Sequence, residues 1–555
     1  MPINARLIQL IAVLACLLSI AGARAGTGAV AMPDPYSADA SAAILARGGN
    51  AADAMITGMF VAAVTHPNAG NIGGGGFMTA FIDGESSFLD FREVAPAGAG
   101  RDMFLDEGGE YLPRRALVGG LASGVPGTVR GLAEMHQRFG SLPWSELIQP
   151  AIDLARDGFV PYPVLLSTTR DQLAYFGDST NFRKYFGGMR EDQVFRQPEL
   201  ASTLERIAKD PDDFYRGTTA SLLVDQMRKD GGLITLQDLA AYRAIWREPL
   251  VTEWREHEVI TAPPPSSGGI ALLQLLQLRD LSNVHFQDVW HNSGPYIHLL
   301  AELEKRVFAD RAEYLGDPKF VDNKVQALLD DDYLRSRAKT VDPDAISPME
   351  NVRPGLEPMH TAHLSVLDAK GNAVSLTTTI NDDYGSGVVV EGAGFLLNSE
   401  MDDFAAKPGA PNLWGAVGNE NNAIAPGKRM LSSMTPTILV KEDKPVLVVG
   451  AMGGTTIITS VFQVILNIID HDMDVDRALN TSRYHHQLPQ ARRIAHDPRP
   501  VPADTKAYLE GMGYTLEENS WGPLGEVAAI LVRDGRVSTS PDRRYAAATR
   551  LVPVK

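Results

Sequence analysis

The sequence predicts an α+β protein, a sandwich in which helices cover two central β-sheets. Strand-like segments occur at 361–367, 373–381, 437–440 and 446–449, and the first two alternate polar and apolar residues with a period of two. Helical segments precede and follow these strands. With 555 residues, of which 44% are hydrophobic, the chain is long enough to bury one large core or two.

The segment from Gly119 to Arg247 is predicted to be mostly helical, with glycine and proline separating the pieces. A helix over 38–59 is expected to be interrupted or capped at Gly48-Gly49-Asn50. Further helices are predicted over 129–139, 144–157, 200–207, 220–229, 236–243, 270–278, 296–313 and, later in the chain, 455–468.

The glycine-dense stretch at 70–77, GNIGGGGF, could in principle cradle a phosphate. It lacks the lysine and serine of a phosphate-binding loop, and no acidic ribose partner follows at a suitable interval. The stretch is therefore interpreted as a backbone turn packed against other main chain, with a buried strand starting at Phe77.

The first 25 residues have the pattern of a secretory signal peptide. Arg6 is followed by an apolar run to about Ile20 and then by Ala23-Arg24-Ala25, which predicts cleavage before Gly26. Cys16 is the single cysteine of the chain, so the mature protein would have no disulfide or thiol nucleophile. Apolar residues continue after Cys16, which argues against a lipidation site there.

The formal net charge is −17, and it becomes −19 if the predicted leader is removed with its two arginines. Such an acidic chain has no basic patch for nucleic acid and would be repelled by anionic membranes. The leader and the absence of cysteine in the mature chain together predict a bacterial periplasmic or secreted protein.

The strands at 361–367 and 373–381 are predicted to form a hairpin. Gly371 suits the left-handed position of a three-residue loop between them. In that register paired positions sum to about 740, so Thr361 would lie opposite Thr379 and beside Asn381. Taken alone, the stretch is better interpreted as an ordinary hairpin that has one polar face.

The segment before the hairpin favours a functional interpretation. Pro343, Pro348, Pro354 and Pro358 punctuate a stretch without hydrophobic periodicity, which predicts an exposed, irregular tether. An abrupt change from tether to strand at His360 and Thr361 is what an autocatalytic cleavage site needs. Cleavage there would free a threonine whose own α-amine can serve as the base for its hydroxyl.

At these residues the chain resembles the γ-glutamyltransferase family, also called γ-glutamyl transpeptidases, of the N-terminal-nucleophile hydrolases. The resemblance extends in order over nearly the whole mature chain. It includes GGNAADAMITGMFVAAVTHPNAGNIGGGGFM, LDFREVAPAG, LASGVPGTVRG, PPPSSGG, ADRAEYLGDP, LLNSEMDDF and LSSMTPTI. It implies a four-layer αββα sandwich as the fold.

The resemblance also implies a substrate site. Arg92 and the pair Ser432 and Ser433 would hold the α-carboxylate of a γ-glutamyl group, because a guanidinium can meet a carboxylate bidentately. Asn381 with Glu400 and Asp403 would contact its α-amine. Each group has a plain alternative: an arginine paired with a neighbouring carboxylate, a polar turn before a strand, or a solvated acidic turn.

The catalytic residues implied by the resemblance are the nucleophile Thr361, the orienting Thr379, and Gly453 and Gly454. Backbone N–H groups at the glycine pair could stabilise the oxyanion of a tetrahedral intermediate, although a simple strand-to-helix turn is the alternative. Trp414, in the Gly/Pro-rich segment 407–418, would lie in a lid over the site.

The implied activity is transfer of the γ-glutamyl group of glutathione or a related amide to water, an amino acid or a peptide. Autocleavage between His360 and Thr361 would yield a large subunit, 26–360, and a small subunit, 361–555, which remain together as a heterodimer within one αββα domain. No cofactor, nucleic-acid partner or membrane span after leader removal is expected. No metal is expected either, because adjacent His485 and His486 lack further ligands at metal spacing.

Two other functions remain open. The chain could be an N-terminal-nucleophile acylase of a different amide, such as a glutaryl or cephalosporin side chain, or an unprocessed periplasmic γ-glutamyl-binding protein. Met452 stands where proline is common in the family, Ala362 where threonine often follows the nucleophile, and Trp414 where many members have tyrosine. The balance of hydrolysis and transpeptidation, the preferred acceptor and the higher oligomeric state do not follow from the sequence.

Overall fold

The protein forms four layers, with helices outside and two β-sheets between them, as the computed structural model shows. The structure describes residues 23–24, 26–348, 360–407, 419–487, 490–519 and 522–553, with only the backbone described at 23, 24, 360 and 361. The predicted αββα sandwich is confirmed.

The first sheet, sheet A, has the strand order β1-β16-β15-β11-β10-β7-β6 and is antiparallel throughout. Its strands are β1 (Ala23–Arg24), β6 (Leu250–Trp254), β7 (His257–Thr261), β10 (Thr437–Lys441), β11 (Lys444–Met452), β15 (Glu526–Arg533) and β16 (Arg536–Thr539). The two residues of β1 belong to the predicted leader and lie at the edge of the sheet.

The second sheet, sheet B, has the order β17-β2-β8-β9-β3-β4-β5 and is also antiparallel. Its strands are β2 (Thr27–Met32), β3 (Gly75–Ile82), β4 (Glu85–Asp90), β5 (Ile245–Arg247), β8 (His360–Leu367), β9 (Ala373–Asn381) and β17 (Ala548–Pro553). The predicted hairpin thus occupies the centre of the sheet. A small third sheet comprises β12 (Tyr484–His485), β13 (Arg493–His496) and β14 (Thr515–Glu518).

Helices pack on the outer face of each sheet. Those before β5 are α1 (Pro35–Ala46), α2 (Ala51–Thr65), α3 (Pro113–Leu117), α4 (Thr128–Phe139), α5 (Trp144–Asp157), α6 (Pro163–Phe176), α7 (Phe182–Phe186), α8 (Pro198–Lys209), α9 (Asp213–Arg216), α10 (Thr218–Lys229) and α11 (Leu236–Ala241). Those after β7 are α12 (Gly268–Leu281), α13 (Asn283–Phe286), α14 (Gly294–Tyr314), α15 (Val325–Leu328), α16 (Asp331–Ala338), α17 (Thr456–Ile469), α18 (Val475–Asn480) and α19 (Ala503–Met512). Short 3₁₀ turns lie at Gly120–Ala122, Glu400–Asp403 and Glu420–Asn422.

Alternation along the strands accounts for the layers. Val374 and Leu376 of β9 join the core under α2 and its neighbouring helices, whereas Ser375 and Thr377 face the other way. The apolar part of the inter-sheet layer includes Ala31, Ile438 and Ile530. The predicted helices are confirmed, and the break at Gly48-Gly49-Asn50 separates α1 from α2, where Asn50 caps α2 with a capping box.

The glycine-dense stretch is packed against main chain, as predicted. A Cβ at Gly74 or Gly76 would overlap the carbonyl oxygen of Thr379 or Thr377, so both positions need glycine. Gly76 and Phe91 also exchange backbone hydrogen bonds of 3.3 and 3.0 Å. Among the helices that the structure describes, none combines the length and apolar character needed to cross a membrane.

The β8–β9 register confirms the predicted sum of 740 from Ala362↔Thr378 to Leu367↔Ala373. Asp368 N–H donates to Asn372 O at 2.9 Å, and Gly371 has φ 91°, which confirms the three-residue loop. The register shifts by one residue before Ala362, where His360 pairs with Asn381. The prediction of a simple pair between Thr361 and Thr379 is therefore wrong in detail, because β9 carries an extra residue there as a β-bulge.

Contacts between the sheets align β9 with β11. Ser375 Oγ donates to Val449 O at 3.1 Å, and the ring of His363, which pairs with Thr377, lies against Gly450. Both strands therefore run in the same direction across the sandwich. The residues that follow β11 and the end of β9 consequently lie at the same edge of the two sheets.

Candidate active site

The start of β8 and the ends of β9 and β11 meet at one edge of the sandwich. His360 pairs with Asn381, so the backbone of Thr361 lies beside the last residues of β9. Thr379 Oγ1 accepts a hydrogen bond from Asn381 N–H at 2.8 Å. This edge brings the predicted nucleophile position next to the predicted orienting threonine.

Asn381 links β9 to the acidic turn. Its side-chain amide donates to Ser399 O at 2.8 Å, and its φ of 71° is the left-handed conformation that asparagine tolerates. Its Oδ1 atom is buried and has no hydrogen-bond partner within the described residues. An acceptor left unsatisfied in this way can receive a donor from a substrate.

Arg92 is fully buried and lies two residues after the end of β4. Its guanidinium forms ion pairs with Glu400 and Asp403. It also approaches Glu93 Oε2 at 3.4 Å. The charges of these carboxylates outweigh burial and raise the pKa of Arg92. The structure thus brings together the groups predicted to bind the carboxylate and the amine of one substrate.

Each of the three carboxylates around Arg92 has one oxygen atom that forms no hydrogen bond with the arginine. Burial raises the pKa of Glu93 to about 7, that of Asp403 to about 6, and that of Glu400 well above its ordinary value. Glu93 Oε1, Glu400 Oε2 and Asp403 Oδ1 are buried without a hydrogen-bond partner in the described part of the chain. A cation that reached these oxygens would relieve the cost of their burial.

The acidic turn Glu400–Asp403 is buried rather than solvated. Its two aspartates diverge, because Asp402 accepts a hydrogen bond from Tyr111 while Asp403 faces Arg92. Asn398 anchors the turn by donating to Gly73 O at 2.8 Å. Asp403, the aspartate named from the resemblance, is thus the one that faces Arg92.

The Ser432–Ser433 turn borders the arginine. Arg92 Nη2 approaches Leu431 O at 3.4 Å, and Ser433 Oγ accepts a hydrogen bond from Arg311 Nη2 at 3.0 Å. Ser432 forms a parallel bridge with Ser266 of the PPPSSGG segment. The serine turn therefore lies between Arg92 and Arg311.

Gly453 and Gly454 follow β11 directly and have φ values of 119° and 71°. A Cβ at Gly453 would lie 2.9 Å from Gly525 Cα, so only glycine fits there. Within the described residues, neither glycine donates its N–H to an acceptor. Free N–H groups at this edge are suited to an oxyanion.

Two site residues were not singled out from the sequence: Glu93 and Arg311. Glu93 adjoins Arg92 within the LDFREVAPAG motif, and Arg311 lies within ADRAEYLGDP. The signal that could have identified them is that each is a charged residue inside a motif shared with the family. Trp414 lies outside the described residues, as do the side chains of His360 and Thr361.

The paired histidines face different neighbours. His485 contacts Thr459 Oγ1 and Gln487 Oε1 at 2.9 and 3.0 Å, whereas His486 Nδ1 contacts Arg493 O at 2.8 Å. Across the described part of the chain, no group of three or more potential metal-ligating His, Cys, Asp or Glu side chains is found.

Comparison with known proteins gives consistent matches. The family model described as Gamma-glutamyltranspeptidase matches residues 37–551. The glutathione hydrolase proenzyme of Pseudomonas aeruginosa is 53% identical over 546 residues, covering 98% of each chain. A γ-glutamyltranspeptidase structure from Pseudomonas nitroreducens in complex with L-DON is 55% identical, with a TM-score of 0.57, and covers 58% of this chain and 96% of the solved chain. The cephalosporin acylase of Bacillus halodurans is 26% identical, with a TM-score of 0.83, over 95% of this chain and 96% of that one.

Proposed function

Because this chain belongs to the γ-glutamyltranspeptidase family, we propose that it is an autoprocessing γ-glutamyltransferase and glutathione hydrolase. It transfers the γ-glutamyl group of glutathione or a related amide to water, an amino acid or a peptide. The name of the Pseudomonas aeruginosa relative, a glutathione hydrolase proenzyme, supports both the substrate and the processing.

The observation that carries this proposal is the buried charge cluster around Arg92. A γ-glutamyl group presents an α-carboxylate and an α-ammonium on one carbon atom. Arg92, with Ser432 and Ser433, suits the carboxylate, while the spare oxygens of Glu400 and Asp403 suit the ammonium. Asn381 Oδ1 adds a further acceptor for the ammonium group.

In the proposed reaction, the Thr361 hydroxyl attacks the γ-carbonyl carbon of the donor and its proton passes to the Thr361 α-amine. The N–H groups of Gly453 and Gly454 stabilise the oxyanion. The C–N bond breaks, the leaving amine takes up the proton, and a γ-glutamyl ester of Thr361 remains. Water or an acceptor amine then attacks this ester and releases the threonine hydroxyl.

The same hydroxyl performs maturation. Thr361 attacks the carbonyl carbon of His360, an N-to-O acyl shift forms an ester, and hydrolysis separates residues 26–360 from 361–555. The central position of β8 in sheet B supports continued association of the two subunits, because both contribute strands to each sheet. Removal of the leader 1–25 would place the enzyme in the periplasm or outside the cell.

A second candidate, an acylase of glutaryl or cephalosporin amides, is favoured by the overall similarity to the Bacillus halodurans cephalosporin acylase. A glutaryl group has a terminal carboxylate but no α-ammonium. It would leave the spare oxygens of Glu93, Glu400 and Asp403 buried without a cation. The γ-glutamyl substrate is therefore preferred.

The proposal is tested on purified protein by intact-mass measurement and by comparing γ-glutamyl-p-nitroanilide with glutaryl-p-nitroanilide. Two fragments that begin at Gly26 and Thr361, with preferential turnover of the γ-glutamyl substrate, are expected. Preference for the glutaryl substrate would establish the acylase instead. A single uncut chain that binds a γ-glutamyl compound without turnover would support the binding-protein alternative.

A further inference from the structure

A cavity adjoins the predicted oxyanion site on the side of Gly453. It has a volume of about 330 Å³, and its lining includes Gly453, Thr455, Asp383, His66 and Glu526. Asp383 follows Asn381 by two residues, so the cavity also borders the end of β9. Arg92, Glu400 and Asp403 do not line it. A volume of this order can hold an amino acid or a dipeptide.

Glu526 is the feature of this cavity that needs a partner. It is the first residue of β15 and pairs in register with Met452, the residue before Gly453. It is 6% exposed, and its carboxylate has no hydrogen bond or ion pair with any described residue. Burial raises its pKa well above the ordinary value, and the charges of Asp542 and Asp34 act in the same direction.

The basic residues of the cavity wall are already paired elsewhere. Arg493 Nε lies 2.5 Å from Glu517. Arg544 lies 2.7 Å from Asp497 and 2.6 Å from Asp542. Neither arginine is therefore paired with Glu526, and a cation bound in the cavity would stabilise the ionised form of this carboxylate against the cost of its burial.

His66 gives the cavity a second unsatisfied polar atom. The residue is 6% exposed, its Nδ1 contacts the Tyr162 hydroxyl, and its Nε2 is buried without a partner among the described residues. Asp383, by contrast, already accepts a hydrogen bond from Asn68 at 3.1 Å. Asn68 Oδ1 is also buried without a partner among the described residues, so Glu526, His66 and Asn68 provide the free bonding capacity for a ligand.

We propose that this cavity is the site of the acceptor amine and of the leaving amine, and that Glu526 binds their ammonium group. The inference rests on the proposed γ-glutamyl transfer and specifies its acceptor as a cationic amino acid or dipeptide amine. The donor's γ-glutamyl portion occupies the Arg92 cluster, so the group beyond the reacting carbonyl lies on the Gly453 side. The acceptor and the leaving amine share that position because attack of an amine on the Thr361 ester is the reverse of the step that releases the leaving amine.

The transfer step balances without a further reactant. The acceptor ammonium bound at Glu526 loses one proton to solvent, and the neutral amine attacks the carbonyl carbon of the Thr361 ester. A C–N bond forms, the C–O bond to Thr361 breaks, and the second amine proton passes to the threonine oxygen. Glu526 accepts a hydrogen bond from the amine and so retains it near the ester.

The test measures γ-glutamyl-p-nitroanilide turnover with and without glycylglycine and quantifies hydrolysed and transferred product by mass spectrometry. Glu526→Gln should lower the ratio of transfer to hydrolysis by roughly tenfold or more, through a higher KM for glycylglycine, since it loses a charge-assisted contact. Glu526→Asp, which retains the charge, should recover part of this ratio. Glu304→Gln serves as a matched control, because Glu304 is a buried carboxylate outside the cavity that accepts His486 N–H at 2.7 Å.

A second measurement uses the wild-type enzyme and so does not depend on folding of a variant. S-methylcysteinylglycine competes with glycylglycine for this position and should inhibit formation of γ-glutamylglycylglycine at least about tenfold more strongly than its N-acetyl form, which has no ammonium group. Equal inhibition, or a Glu526→Gln ratio equal to that of wild type, would overturn the acceptor-site assignment. Absence of any wild-type turnover of the donor would instead overturn the proposed function.

Discussion

The imidazole of His363 lies against Gly450, where any Cβ would overlap the ring. The histidine belongs to the central hairpin of sheet B and the glycine to β11 of sheet A. His363 Nδ1 contacts Thr377 Oγ1 at 2.8 Å, and Nε2 contacts Ser365 Oγ at 3.1 Å. This contact sets β8 against β11, the strand that ends just before Gly453, and so aligns the predicted nucleophile with the predicted oxyanion site.

Gly450→Ala is expected to destabilise the protein by about 1–3 kcal/mol, because the added methyl group must displace a buried ring. Denaturant unfolding of the mature enzyme measures the change. Gly511→Ala is the control, since Gly511 lies in α19 with no neighbouring atom within 4 Å of its Cβ position. That variant should be neutral or slightly more stable, and equal destabilisation by both variants would contradict the packing assignment.

The buried His363 also predicts sensitivity to acid. Burial lowers its pKa from 6.5 to about 3, so the unfolded chain binds a proton at higher pH than the folded one. The contribution of His363 to the free energy of unfolding is therefore complete above pH 6.5 and declines as the pH falls towards 3. The decline amounts to roughly 1.4 kcal/mol per pH unit. Unfolding free energies of wild type and His363→Asn between these pH values test this. The difference between their pH slopes should approach one proton, and parallel slopes would contradict it.

Thr361→Ala is expected to abolish maturation, because no hydroxyl remains to attack the His360 carbonyl. Intact mass should show a single chain that starts at Gly26 and includes both predicted subunits. Thr361→Ser retains a hydroxyl and should still be cleaved. Cleavage of the alanine variant at the same bond would remove Thr361 from the nucleophile role.

Arg92→Lys is expected to raise the KM for the γ-glutamyl donor by roughly thirtyfold or more, while maturation proceeds. Lysine retains the positive charge among the three carboxylates but cannot offer two parallel N–H groups to the substrate carboxylate. Arg247→Lys is the matched control, because Arg247 pairs with Asp90 at 2.8 Å outside the cluster. If the donor KM of Arg92→Lys equals that of the control, Arg92 does not bind the substrate.

Thr379→Val is expected to slow donor turnover by roughly tenfold to a hundredfold at saturating donor, since the orienting hydroxyl is lost. Thr379→Ser retains the hydroxyl and should be close to wild type. Thr377 lies on the same face of β9 as Thr379, but Thr377→Val is not a neutral control, because Thr377 forms a hydrogen bond with His363. Thr377→Val should lower the stability of the protein. If fully folded Thr377→Val and Thr379→Val lose turnover equally, Thr379 does not have the orienting role.

Local patterns in the sequence determined the central hairpin and named the residues of the candidate site. Alternation along 361–367 and 373–381, with Gly371 between them, predicts the hairpin, its loop and its register from Ala362 onwards. The motifs place Arg92, Glu400 and Asp403 in one site by resemblance. These features could be predicted because alternation, turn chemistry and motif spacing depend on residues close together in the chain.

Only the tertiary structure decided how these segments meet. Glu400 and Asp403 lie 308 and 311 residues from Arg92 in the chain, yet both form ion pairs with it. The bulge beside Thr361 and the unpaired carboxylate of Glu526 likewise carry no local signal in the sequence. Burial and charge pairing depend on which surfaces pack together, and that packing is a property of the whole sandwich rather than of any one segment.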